Sequence, residues 1–186
     1  NGEEIPNAIT KLTRLRQVCV DPMYFGINHQ SPKVSFILEY LEDNPDETVI
    51  IFSTMTGALT RLHALIPDAV ILTGRQTTEQ KQFAVDKIQK GKARVLLANI
   101  KAGGVGFTLD KADTIIFLDK SYTPDENDQA GDRFIPVDPD ATYGAKQIIT
   151  LLVNGSVEPK IEVLLEQKIN IISYVNDYGL KGIMDL

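Results

Sequence analysis

Five short apolar runs constrain this chain more than any other feature: "TVIIFS", "AVILT", "ARVLLA", "TIIFLD" and "KQIITLLV". Each is short and rich in branched residues, so each reads as a buried strand. The segments between them change period. "MTGALTRLHALI", "TTEQKQFAVDKIQKG" and "TPDENDQAGDRF" read as helices. Strands that alternate with helices predict an α/β fold: a parallel sheet with helices on both faces, over roughly residues 48 to 155.

Local signals sharpen some of these elements. Thr77 and Gln80 form a capping box, and Gly91 stands where a C-terminal glycine belongs. Thr123, Pro124, Asp125 and Glu126 suit the start of the helix after "TIIFLD". Two further helices precede the sheet. In "IPNAITKLTRLRQVCVDP", Ile9, Leu12, Leu15 and Val18 recur at spacing three, and Pro22 marks the end. In "KVSFILEYLED", Val34, Ile37, Leu38 and Leu41 share a face. "SVEPKIEVLLEQKINIISYVNDY" reads as one long closing helix. The expected division is an N-terminal helical lead-in, residues 1–47, and an α/β lobe, residues 48–186.

Composition excludes several classes. No apolar run approaches the ~18 residues of a membrane span. The N-terminus "NGEEIPNAIT" is polar and acidic, unlike a secretory leader, and it lacks a starting methionine, so the chain reads as a piece of a longer protein. Cys19 is the one cysteine, which rules out an internal disulfide and fits an intracellular compartment. His29 and His63 lie in no ligand motif, and no metal site is expected. The formal net charge of −6 argues against a free-standing nucleic-acid binder but leaves room for a local phosphate-binding edge.

In such sheets, ligands bind at the carboxyl ends of the strands. "FSTMTG", "LTGRQTT", "KAGGVGFTLD" and "LDKSYTPDE" all follow strands, so they are expected on that one edge. Ser53 and Thr54 offer small hydroxyls beside a helix start, which suit a phosphate or a plain cap. Arg75 offers a charge. The third stretch is the most specific. Gly103, Gly104 and Gly106 let the backbone approach a partner closely, and Lys101 and Thr108 add a charge and a hydroxyl. It is neither a Walker A loop nor a dinucleotide fingerprint, since GxxxxGK[ST] and GxGxxG are both absent. In "DQAGDRF", Gln129, Asp132 and Arg133 lie within about one helical turn. An arginine there suits either a surface pair or a charge aimed at a phosphoryl group.

The order of these pieces is more telling than any one of them. "LTRLRQVCVDP", "SPK", "VIIFS", "TGRQ", "VLLANIKAGGVGFTLDKADTIIFLD", "YTPDENDQAGDR" and "LLVNGSVEPKI" follow in sequence. The succession resembles the second, C-terminal RecA-like lobe of Swi/Snf-type superfamily-two helicases and ATPases. The likeness runs from about Leu12 to about Lys168. "KAGGVGFTL" and "QAGDR" resemble that family's motifs V and VI, "FS" its motif IV, and "GSVEPKI" the element after its last strand.

The resemblance implies half of an ATP-driven motor acting on duplex DNA. The other half would be an N-terminal RecA-like lobe of the same parent chain, and ATP with Mg²⁺ would sit in the intact two-lobe protein. Carried over position by position, Arg133 matches the first motif VI arginine and Gln129 its leading glutamine. Gly104, Gly106 and Thr108 match motif V near the nucleotide. Ser53, Thr54, Lys101 and Ala102 match positions that face the DNA backbone. The glycines would then let one loop touch both the nucleotide cleft and the DNA. Two departures stand out. These residues hold no Walker A lysine and no acidic Mg²⁺ motif, so the lobe alone is not expected to hydrolyse ATP. Pro136 stands where the second motif VI arginine belongs. That leaves an alternative: a degenerate, non-hydrolysing lobe used for DNA or protein binding.

Overall fold

The five runs are the strands of the computed structural model, which describes residues 4–103, 109–133 and 146–186. They are β1 (Val49–Ser53), β2 (Val70–Leu72), β3 (Val95–Asn99), β4 (Thr114–Phe117) and β5 (Gln147–Thr150). All pair parallel, in the order β2-β3-β1-β4-β5. The α/β fold expected from the alternation is the fold observed. β1, β3 and β4 are buried along their whole lengths, as the three inner strands of a covered parallel sheet must be. β5, at one edge, carries Ile148 at 56% exposure.

The helices are α1 (Glu4–Val20), α2 (Pro32–Asp43), α3 (Thr56–Leu65), α4 (Thr78–Gln89), α5 (Pro124–Asp132), α6 (Glu158–Glu166) and α7 (Ile171–Met184). Two compact units emerge from the packing. One comprises Ile37–Ser121 and Glu126–Leu151, and the other Asn1–Phe36, Tyr122–Asp125 and Leu152–Leu186.

The first of these holds the sheet. Its core joins Ile50 and Phe52 of β1, Leu96 and Ala98 of β3 and Ile115 and Phe117 of β4 to Val85 and Ile88 of α4. Phe52 and Phe117 stack with ring centroids 5.6 Å apart. α4 begins with the predicted capping box: the Gln80 N–H donates to Thr77 Oγ1 at 3.3 Å, and the Thr77 N–H to Gln80 Oε1 at 3.0 Å. Gly91 has φ +63°, the left-handed conformation that suits a helix end. Arg94 closes α2, donating to the carbonyls of Leu41 (2.9 Å) and Asn44 (3.3 Å).

The second unit is helical and packs Leu12, Val157, Ile161, Leu164, Leu165, Ile171, Val175 and Ile183 together. Lys33 and Glu158, 3% and 4% exposed, form an ion pair at 2.7 Å. Glu158 also accepts from the Val153 N–H at 2.9 Å. Burial, with Glu158 beside it, pushes the Cys19 thiol pKa up from its ordinary value.

Two expectations need correction here. The buried face of α1 is Leu12, Arg16 and Val20, while Leu15 and Val18 are 42% and 39% exposed. A strict spacing of three drifts off a face that repeats every 3.6 residues, and Arg16 earns burial by laying its guanidinium 4.7 Å from the Tyr122 ring centroid. The closing segment is two helices, not one. Lys168 takes φ +59°, and Asn170 starts α7 by accepting the Ser173 N–H at 3.2 Å.

Candidate functional site: the two ends of the central strands

Adjacent strands whose outgoing connections run to opposite sides mark the crevice of an open α/β sheet. Here those strands are β1, which leads through α3 to β2, and β4, which leads through α5 to β5. Asp119, two residues past β4 and 3% exposed, occupies that switch point. It takes the hydroxyls of Ser53 and Thr54, and the Thr54 N–H lies 3.2 and 3.3 Å from its two oxygens. Ser53 Oγ in turn accepts the Met55 N–H at 2.9 Å. Ser53 is fully buried and Thr54 half-buried. A carboxylate accepts several such bonds at once, and this one fastens the carboxyl ends of β1 and β4 together.

The same pattern continues next door. Asn99 ends β3 and donates to the Thr54 carbonyl at 3.0 Å, while its Oδ1 accepts the Lys101 N–H, also at 3.0 Å. This shapes the turn Ile100–Gly103, which buries Ala102 (7% exposed) and puts Lys101 into solvent. Lys101 Nζ lies 3.5 Å from Glu126. Glu126 also accepts from the Ser121 hydroxyl. Asn127 closes the Ser121 turn by accepting the Ser121 N–H at 2.7 Å and donating to the Ser121 carbonyl at 3.0 Å. On the β2 side, Gln76 accepts the Thr73 N–H at 2.6 Å and donates to the Ile71 carbonyl at 2.7 Å. Arg75 is exposed.

The expected single edge holds for Ser53, Thr54, Lys101 and Ala102. Arg133 follows α5, which runs back beside the sheet, and its carbonyl accepts the Leu109 N–H at 2.8 Å. Leu109 belongs to the turn that enters β4 at the amino end, where the Asp113 N–H donates to the Thr48 carbonyl at 2.8 Å. Gly104, Gly106, Thr108 and Pro136 lie outside the described residues. Arg133 is half-buried, and desolvation lowers its pKa from the ordinary value. A guanidinium keeps its charge at neutral pH all the same. Gln129 and Asp132 are exposed.

Sequence reading missed Asp119, Asn99, Asn127 and Lys146. Lys146 donates from its ammonium to the carbonyls of Asp110 and Ala112. The signal for Asp119 was present: a carboxylate directly after a buried run, at the end of a central strand. Among the described residues, no group of three or more His, Cys, Asp or Glu is placed to hold a metal ion, and no helix is long and apolar enough to cross a membrane.

A five-stranded parallel sheet with this order and this pair of loops defines a RecA-like lobe. The model of the helicase conserved C-terminal domain matches residues 32–135. The chain belongs to that family. It is 29% identical over 156 residues to the ATP-dependent helicase FUN30 of Saccharomyces cerevisiae, covering 80% of this chain and 14% of that protein. A crystal structure of the C-terminal part of the Fun30 ATPase domain superposes with a TM-score of 0.70 at 28% identity, covering 84% of this chain and 54% of that one. The Sulfolobus solfataricus SWI2/SNF2 ATPase core in complex with dsDNA shares the fold, with a TM-score of 0.72 at 18% identity, over 97% of this chain and 40% of that one. The chain spans 14%, 18% and 19% of the lengths of three curated relatives it matches.

Proposed function

We propose that this lobe is the C-terminal half of a DNA-dependent ATPase or translocase. An N-terminal lobe of the parent chain would supply the phosphate loop and hold ATP with Mg²⁺. This lobe would supply Arg133 to the nucleotide, with Gln129 beside it, and Gly104, Gly106 and Thr108 would line the nucleotide side of the glycine stretch. Thr54 and Lys101 would meet the DNA backbone, while buried Ser53 and Ala102 shape the loops that carry them. The parent would work inside the cell, wherever duplex DNA is.

The observation that carries this reading is the bond from the Leu109 N–H to the Arg133 carbonyl. It ties the far end of the glycine stretch to the residue in the arginine-finger position, while Lys101 heads the near end. On this reading Lys101 would face the DNA and Leu109 would adjoin the nucleotide-side residue Arg133, an arrangement that suits coupling of the two. A charge supplied to a transferring phosphoryl group acts mainly on the transition state. Arg133→Ala in the intact parent is therefore expected to lower DNA-stimulated hydrolysis by roughly a thousandfold or more. Hydrolysis that survives within a few fold removes Arg133 from that role.

Pro136 and the net charge of −6 favour the second reading, a lobe that binds DNA or protein without hydrolysis. Wild-type parent that binds duplex DNA equally well with and without ATP, and shows no stimulated hydrolysis, selects it.

A further inference from the structure

The two residues that flank the stretch 134–145 are bonded to one short turn. That turn is Leu109–Ala112, closed by the Ala112 N–H donating to the Leu109 carbonyl at 3.1 Å. From one side, the Arg133 carbonyl accepts the Leu109 N–H at 2.8 Å. From the other, Lys146 Nζ donates to the Ala112 carbonyl at 2.5 Å and to the Asp110 carbonyl. Lys146 is itself well placed to hold still. The next residue, Gln147, begins β5, and its N–H donates to the Asp113 carbonyl at 3.0 Å. Asp113 is fixed to β1 in turn, its Oδ2 accepting the Thr48 N–H at 2.8 Å.

An ammonium has three donors and no acceptor, so two main-chain carbonyls are fitting partners. Bonds from a charged donor are roughly twice as strong as neutral ones. Leu109 and Ala112 are 3% and 0% exposed, so a loosened turn would have to expose apolar surface. The turn therefore has two stable anchors, the sheet edge through Lys146 and the end of α5 through Arg133.

We infer that Lys146 is a positioning residue: its ammonium holds the turn to which the Arg133 backbone is bonded, and so sets where Arg133 stands relative to the sheet. Its importance for catalysis rests on the motor-lobe reading, whereas its hold on the turn does not. Lys146 touches no reacting group in this account. Its loss acts through Arg133, a group that works in the transition state, so kcat and kcat/KM fall together.

The test compares wild type, Lys146→Met and Lys146→Arg in the full parent chain by amide hydrogen exchange and by ATP hydrolysis with duplex DNA. Lys146→Met is expected to speed exchange at Leu109 and Ala112 by about tenfold, with Ile50 and Leu97 unchanged. It should lower kcat by about tenfold and move KM for ATP by less than about twofold. Lys146→Arg, which keeps the charged donors, should restore both. Unchanged exchange at Leu109 and Ala112 in Lys146→Met overturns the inference, as does normal kcat alongside faster exchange. Should Lys146→Met also expose Ile50, showing that the sheet has opened, Lys146→Gln replaces it and is read by the same ratio. A wild-type parent with no DNA-stimulated hydrolysis sinks the motor reading instead, and the exchange measurement still decides whether Lys146 holds the turn.

Discussion

At the scale of single residues, the site is built from buried polar groups that satisfy one another. Asp119 accepts from Ser53, from Thr54 and from the Thr54 backbone, and none of these partners is fully exposed. Asp119→Ala strands the buried Ser53 hydroxyl and the Thr54 N–H. It is expected to cost about 2–4 kcal/mol, one or two donors at the usual desolvation penalty. Asp119→Asn keeps an acceptor and should cost less. Urea unfolding of the three proteins checks the order, and equal midpoints would mean that the carboxylate holds nothing. Ser53 and Thr54 were legible as small hydroxyls at a strand end. Their acceptor was not, because it lies 66 positions away from Ser53 and reaches it only through the pairing of β1 with β4.

At the scale of elements, period and caps carried most of the information. The strands were readable because an inner parallel strand is apolar on both faces, which leaves a run with no helical period. The capping box of α4 was readable because both partners sit three residues apart. The break between α6 and α7 was not, since Lys168 has no intrinsic preference for positive φ. The break lets Ile171 and Val175 join Ile161 and Leu164 in one cluster, and its N–H at Ile171 donates to the Tyr122 carbonyl at 3.0 Å. Lys168→Gly removes the left-handed strain and is expected to stabilise the protein by about 0.5–1 kcal/mol. Lys168→Val should destabilise it, because a branched side chain tolerates that φ least. Denaturant midpoints that do not separate the two variants would contradict this account.

At the scale of the whole molecule, the proposed function makes the lobe one half of a two-lobe motor. Its residues include neither a GxxxxGK[ST] loop nor an acidic Mg²⁺ motif. The 186-residue chain alone, given ATP, Mg²⁺ and duplex DNA, is therefore expected to release phosphate no faster than buffer. Turnover by the lobe alone would point to a self-contained site and overturn the two-lobe reading. The sequence by itself determined the α/β class, the number of strands in the sheet, the caps of α4 and the order of the motifs. Each of these is written in neighbouring residues, where period, cap and turn chemistry act. Only the tertiary structure decided which strands are adjacent, which carboxylate takes the hydroxyls of Ser53 and Thr54, and that Arg133 stands at the level of Leu109 and not at the edge of Lys101. Those outcomes depend on which distant backbones the sheet brings side by side, and no local pattern carries that.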